Sequence, residues 1–168
     1  MAPDPVLQAR PKEFDTDSGV SRQDRSALAE KLTEAVADSY LLYVKTQGFH
    51  WNVVGPLFYS LHKLTEVQYE DLAEAIDDIA ERIRAIGFTA PGSFAQFQQV
   101  TSIKEETGSV TAEEMIRQLA EDNETCSRNL RNAAAAAEAV EDVNTADLLT
   151  ARIGQHEENT WMLRAMMA

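Results

Sequence analysis

One cysteine, Cys126, is all the thiol the chain carries. No disulfide can close within it, so nothing points to an oxidising compartment. Its expected place is a small, half-buried position on a helix. Glycine and proline are scarce, 7 and 5 in 168 residues, and Pro3, Pro5 and Pro11 fall at the start. Strand-like runs are missing, while alanine, leucine and charged residues abound, which favours an all-α fold. No stretch is long and apolar enough to span a membrane. The opening residues hold no apolar run like that of a signal peptide, so the expected compartment is the cytoplasm. Positive charge is also short: 15 Lys and Arg stand against 28 Asp and Glu, a net −13. Such a surface is poorly suited to a phosphate backbone; it suits solubility and attracts cations. Arg10 and Lys12 are matched by Asp4, Glu13, Asp15 and Asp17, so there is no basic arm to bind DNA. The length suits one domain. Residues 1–21 are expected to be an extended tail, partly pinned to the surface, and 22–168 a helical bundle.

What the chain has in plenty is helical periodicity. Ser21 or Asp24 can cap a first helix running to about Phe49, with Leu28, Leu32, Ala35, Val36, Tyr40, Leu41 and Val44 as its apolar stripe. A second helix is expected from Phe58 to Ile86, with Leu61, Leu64, Leu72, Ala75, Ile76, Ile79, Ala80 and Ile83 recurring at three or four. Gly87 suits its C-terminal end. A connection of about 23 residues follows, long enough to cross the bundle. Ser93 to Val100 within it suits one or two helical turns, with Phe94 and Phe97 as buried contacts. Thr111 and Glu114 read as a capping box opening the third helix. The fourth is expected from about Thr145 to the end, with Leu148, Leu149, Ile153, Trp161, Met162 and Met166 facing inward.

Two of the three histidines sit at the first helical junction and on the second helix. His62 and Glu66 lie four apart and share a face, as do Asp77 and Glu81. Glu66 and Asp77 are close to three turns apart, so all four groups lie along nearly one line. Eleven residues of helix nevertheless span roughly 16 Å, whereas a metal needs ligands about 2 Å away. One straight helix cannot close both pairs on one ion. Two antiparallel copies can, giving two equivalent sites between subunits. The turn at Gly55 and Pro56 can bring His50 in from the preceding helix. Taken singly, each of these residues reads as part of a solvated face; the combination is the signal. Trp51 reads as core packing by its size. His156 has no obvious partner and reads as structural or exposed. Glu141, Asp142 and Asp147, at the third junction, read as helix capping.

His50-Trp51-Asn52, Gly55, His62, Glu66, Asp77 and Glu81-Arg82 resemble the signature of the Dps proteins, the small ferritin-like proteins of starved bacteria. In that family two histidines and a carboxylate from one subunit meet an Asp and a Glu from its two-fold mate, and every interval matches. The one departure is Glu66, where the family usually has Asp; Glu has one more methylene of reach. The resemblance covers the chain from about Asp24 onward. It implies a ferritin-like four-helix bundle over 22–168, with a short extra helix in the long connection between the second and third long helices. It implies a homo-oligomer of twelve subunits built from two-fold dimers. His50, His62, Glu66, Asp77 and Glu81 would be the metal ligands, and Trp51 beside them would take up stray oxidising equivalents. It also makes Glu141, Asp142 and Asp147 the lining of a negative pore for iron entry.

Imidazole and carboxylate without thiolate suit Fe(II), Mn(II) or Zn(II). The expected activity is a ferroxidase: Fe(II) is oxidised to Fe(III) with hydrogen peroxide or dioxygen, and ferric mineral is stored in a cage. The alternatives are a zinc-holding interface without redox chemistry, and a nucleoid-associated DNA-binding protein, which the net charge disfavours. Ordinary ferritins build their site from Glu-x-x-His motifs inside one bundle. None occurs here, because Gln47, Tyr59 and Ile153 precede the three histidines at that spacing.

Overall fold

The computed structural model describes residues 12–168. Pro3, Pro5, Arg10 and Pro11 of the expected tail lie outside the described residues. Five helices follow one another: α1 (Arg22–Asn52), α2 (Phe58–Ala85), α3 (Phe94–Val100), α4 (Ala112–Ala139) and α5 (Val143–Ala165). Among the described residues there is no strand, and no helix is long and apolar enough to cross a membrane.

The helix ends follow local chemistry. The Ser21 hydroxyl accepts from the Asp24 N–H at 3.1 Å and opens α1. Gly48 does not end α1, because Phe49, His50 and Val53 around it are buried and outweigh the cost of about 1 kcal/mol of one helical glycine. His50, Trp51 and Asn52 therefore form the last turn of α1. Gly55, at φ +92°, makes the turn into α2. Gly87, at φ +105°, closes α2: Phe88 N–H donates to the Ile83 carbonyl and Gly87 N–H to that of Arg84. Thr111 accepts from the Glu114 N–H at 3.2 Å, but the Glu114 carboxylate is taken up by Arg117 and Gln118. The expected capping box is thus seen by half. α5 starts two residues earlier than expected, on the Asp142 cap.

The main packing is α1 on α2 and α4 on α5; α4 and α3 also lie against α1, while α2 and α4 meet little. The long connection therefore crosses the bundle. Asp38, 2% exposed on α1, secures that crossing. It accepts from the Thr101 hydroxyl at 2.9 Å, the Ser102 N–H at 2.6 Å and the Asn129 amide at 2.8 Å. Leu32, Leu42, Leu61, Leu72, Ile79, Ile83, Leu119 and Leu149 are fully buried, each worth about 1.5–3 kcal/mol of apolar burial. Three inward assignments fail on this chain: Val44, 43% exposed, Phe94 and Trp161. Phe97 is buried, but Phe94 and Trp161 are more than half exposed on this chain. Periodicity identifies apolar positions without saying which neighbour they meet.

At the other end of α2 the N-terminal segment is fastened down. Phe14 N–H donates to the Gly87 carbonyl at 2.7 Å. Arg84 lies over the Phe14 ring at 4.8 Å, and the buried Arg25 donates to the Ile86 carbonyl at 2.8 Å. A β-carbon on Gly87 would stand 2.6 Å from the Phe14 carbonyl oxygen.

Of its two readings, structural or exposed, His156 takes the first: it is buried and its Nδ1 bonds Asn123 Oδ1 at 2.8 Å. Burial, with a smaller push from Arg152, drives its pKa from 6.5 down to about 3. The unfolded chain protonates this ring first, so stability is lost as pH falls from about 6.5 toward 3, by about 1.4 kcal/mol per unit. His156→Gln, which retains an amide donor, is expected to flatten that loss by about one proton. Denaturant midpoints at pH 7 and pH 5 measure it. Equal pH slopes in parent and variant would show that another group carries the transition.

Candidate metal centre

The turn at Gly55 folds the end of α1 back on the start of α2 and places His50 against His62. Their rings stack with centroids 3.8 Å apart. His50 Nδ1 lies 2.8 Å from the His62 carbonyl oxygen, and His62 Nδ1 lies 2.9 Å from that of His50. A carbonyl oxygen only accepts, so each Nδ1 carries the hydrogen. In the neutral ring this tautomer leaves the lone pair on Nε2. Metal-binding histidines have this arrangement: the second nitrogen donates to a fixed acceptor and sets tautomer and ring angle. The pair is packed on both flanks, by Phe58 at 5.1 Å from His62 and by the Tyr69 edge at 5.1 Å from His50.

Glu66 follows one turn after His62. Lys63 Nζ donates to it at 2.7 Å, and this hydrogen bond and charge hold its carboxyl below the usual range. The Lys63 ammonium is raised in return. Asp77 and Glu81 are exposed farther along α2. Asp77 lines a groove of about 390 Å³ with Tyr40, Ala73, Pro91, Phe94 and Phe97. Among the described residues no three His, Cys, Asp or Glu side chains of the one chain gather at metal spacing. One chain thus brings His50 and His62 together, with Glu66 nearby, and leaves Asp77 and Glu81 apart.

Trp51 is 67% exposed and borders a groove of about 570 Å³ between the end of α1 and residues 105–110. Core packing within this chain is therefore not its role. Asp142 is 5% exposed and caps α5, accepting from the Thr145 N–H and hydroxyl and from Arg82 at 2.7 Å. Burial raises its carboxyl, but the Thr145 and Arg82 bonds outweigh that and hold it below the ordinary value. Glu141, at φ +57°, and Asp147 are exposed. Two things have no signature in the sequence: the backbone clamp on the histidines and the seat of Tyr69 against His50. The only hint was two histidines flanking a Gly-Pro turn.

The family model of the ferritin-like domain matches residues 29–168. Among curated relatives, a low temperature-induced protein of Nostoc sp., itself uncharacterised, is 44% identical over 151 residues, 89% of this chain and 84% of that protein. DNA protection during starvation protein 2 of Bacillus anthracis is 37% identical over 138 residues, 82% of this chain and 94% of that protein. The crystal structure of a Dps protein from Bacillus brevis superposes with a TM-score of 0.84 at 34% identity, covering 92% of this chain and all of that one. Helices, histidine pair and these likenesses agree, and the chain belongs to the Dps family of ferritin-like proteins.

Proposed function

We propose that the chain oxidises Fe(II) at sites shared between two-fold-related subunits and stores the Fe(III) product in a closed cage, as a twelve-subunit homo-oligomer in the cytoplasm. Membership of the family supports an iron-oxidising and iron-storing role in general. The observation that carries the specific reading is the pair of reciprocal carbonyl bonds on His50 and His62, which fix two stacked rings in one orientation and leave Nε2 of each for a metal.

The helix itself favours the pairing. Positions 62 and 81 and positions 66 and 77 are centred on the same point, between Asp71 and Leu72. A single two-fold axis there brings His62 toward the mate's Glu81 position and Glu66 toward its Asp77 position together. Tyr59, Val67 and Ala73 are exposed along α2, and exposed Tyr59, Val67 and Trp51 give apolar surface for a second copy to cover.

Fe(II) is the substrate. His50, His62 and Glu66 hold it from one chain, and Asp77 and Glu81 hold it from the other. A cation reaching Glu66 exchanges with the Lys63 ammonium, so binding starts from a carboxylate kept ionised. Two ferrous ions at one site give one peroxide both electrons; with two protons the products are two ferric ions and two waters. No hydroxyl radical is released. Ferric ions pass to acidic groups on the inner wall. Zinc suits the same donors and has no redox chemistry to offer. Nucleoid association is the lesser alternative, since the −13 charge lacks the cations a DNA surface needs.

Anaerobic loading with Fe(II), followed by peroxide and ferric absorbance, tests the reading. About two irons are expected to be oxidised per peroxide, and zinc added first is expected to slow the reaction. A parent protein that binds zinc yet oxidises iron no faster than buffer would sink the proposal and leave the structural-zinc alternative.

A further inference from the structure

A file of tyrosines leads away from the histidine pair. Tyr69 meets His50 edge-on at 5.1 Å. Tyr43 stands 6.1 Å from Tyr69, and Tyr40 stands 6.3 Å from Tyr43, both in the edge-to-face geometry of aromatic contact. Tyr40 stacks on Phe97 at 4.6 Å and lines the groove that contains Asp77. The file begins at one half-site of the chain and ends beside the other.

Three of the chain's four tyrosines stand in this row, all half-buried; only Tyr59 is outside it. Packing alone would be served as well by phenylalanine, which carries no hydroxyl to solvate. The Tyr43 oxygen accepts from Gln47 at 3.1 Å. Among the described residues no ring contact joins Trp51 to the row.

We propose that Tyr69, Tyr43 and Tyr40 form a one-electron relay between the two half-sites of each chain. It rests on the iron-oxidation reading. Its use arises when peroxide meets a site holding a single ferrous ion. That ion gives one electron, the O–O bond breaks, and ferric ion, hydroxide and hydroxyl radical result. The radical takes a hydrogen atom from the Tyr69 phenol, giving water and a neutral tyrosyl. Each hop then moves one electron along the row toward Tyr69, with phenol protons exchanged through water at the half-exposed rings. A ferrous ion held at the Asp77 end supplies the last electron, and one proton restores the phenol. A second proton neutralises the hydroxide. The sum is again two ferrous ions, one peroxide and two protons to two ferric ions and two waters. In the two-fold dimer the Asp77 end belongs to the second site, so the relay couples two sites that each hold one iron.

The test uses the whole protein, loaded anaerobically with Fe(II) below the number of sites, mixed with peroxide and freeze-quenched for electron paramagnetic resonance. The parent is expected to give a tyrosyl signal that narrows on ring-deuterated tyrosine and decays when more Fe(II) is added. Tyr43→Phe keeps every ring contact but breaks the row, and its Tyr69 signal is expected to persist after that addition. The triple variant Tyr40→Phe, Tyr43→Phe, Tyr69→Phe is expected to lose the relay signal and release spin-trapped hydroxyl radical, while Tyr43→Phe alone is expected to leave ferric formation at full loading unchanged. A signal on Trp51 in place of tyrosine, or parent-like decay in Tyr43→Phe, overturns the relay. A parent that oxidises iron with no tyrosyl signal overturns the relay alone; one that oxidises no iron overturns the proposed function as well.

Discussion

Two inactive variants are expected to restore each other. One carries His50→Ala and His62→Ala, the other Asp77→Ala and Glu81→Ala. Each should lose iron oxidation by at least about 100-fold, the upper end of what removing an outer partner of a ligand alone costs. Unfolded and refolded together, half of the pairs are mixed, and each mixed pair has one intact site of its two. About a quarter of the parent activity is therefore expected to return. The stacked histidines lie on one chain and both acidic groups lie exposed beyond them on α2. The quarter is thus a direct count of sites shared across a two-fold axis. Ferric absorbance after peroxide, on mixtures checked for assembled mass, gives the measurement. A mixture no more active than its parts would mean that the acidic pair does not serve the histidines of another subunit. A single Asp77→Ala, Glu81→Ala variant as fast as the parent would remove these residues from the site altogether.

Asp142→Ala is expected to destabilise the chain by about 3–5 kcal/mol, the cost of breaking a buried ion pair from one side. Arg82 would be left with 17% of its side chain exposed and without its carboxylate partner. α5 would lose its cap, and the Thr145 hydroxyl its acceptor. This is a large share of a typical total of about 5–15 kcal/mol. Asp147→Ala, at an exposed position, is expected to stay within about 0.5 kcal/mol. Denaturant midpoints of both variants give the comparison. Asp142→Ala unfolding with the parent, but slow to take up iron, would assign this residue to the pore lining rather than to stability.

The long helices were legible because their evidence is local: apolar residues three or four apart, a serine or threonine at the start, Gly87 at the end of α2. The proposed ligands stood out for a similar reason, since His62, Glu66, Asp77 and Glu81 share one side of a single helix. Contacts between distant segments were not. Nothing near Asp38 announces that Thr101, Ser102 and Asn129 will supply its hydrogen bonds. Nor does a histidine's sequence say that a backbone carbonyl will fix its tautomer. Asp142 had two readings, and the fold shows its part in the cap, buried against Arg82. Phe94 and Trp161 were misplaced because an apolar face looks the same whatever covers it. The order of Tyr40, Tyr43 and Tyr69 also needed the fold, since only packing brings α1 and α2 ring to ring.

Gly87 has a role its own helix does not exhaust. The carbonyl that receives Phe14 belongs to the one residue whose missing side chain lets that segment come close. Attachment of the leading segment is thus governed from the far end of α2, where the Gly87 carbonyl and the Arg84 side chain both meet Phe14. Substituting alanine there would act as a release catch, unbuckling the strap at Phe14 while the paired histidines at the opposite end of the same helix stayed undisturbed.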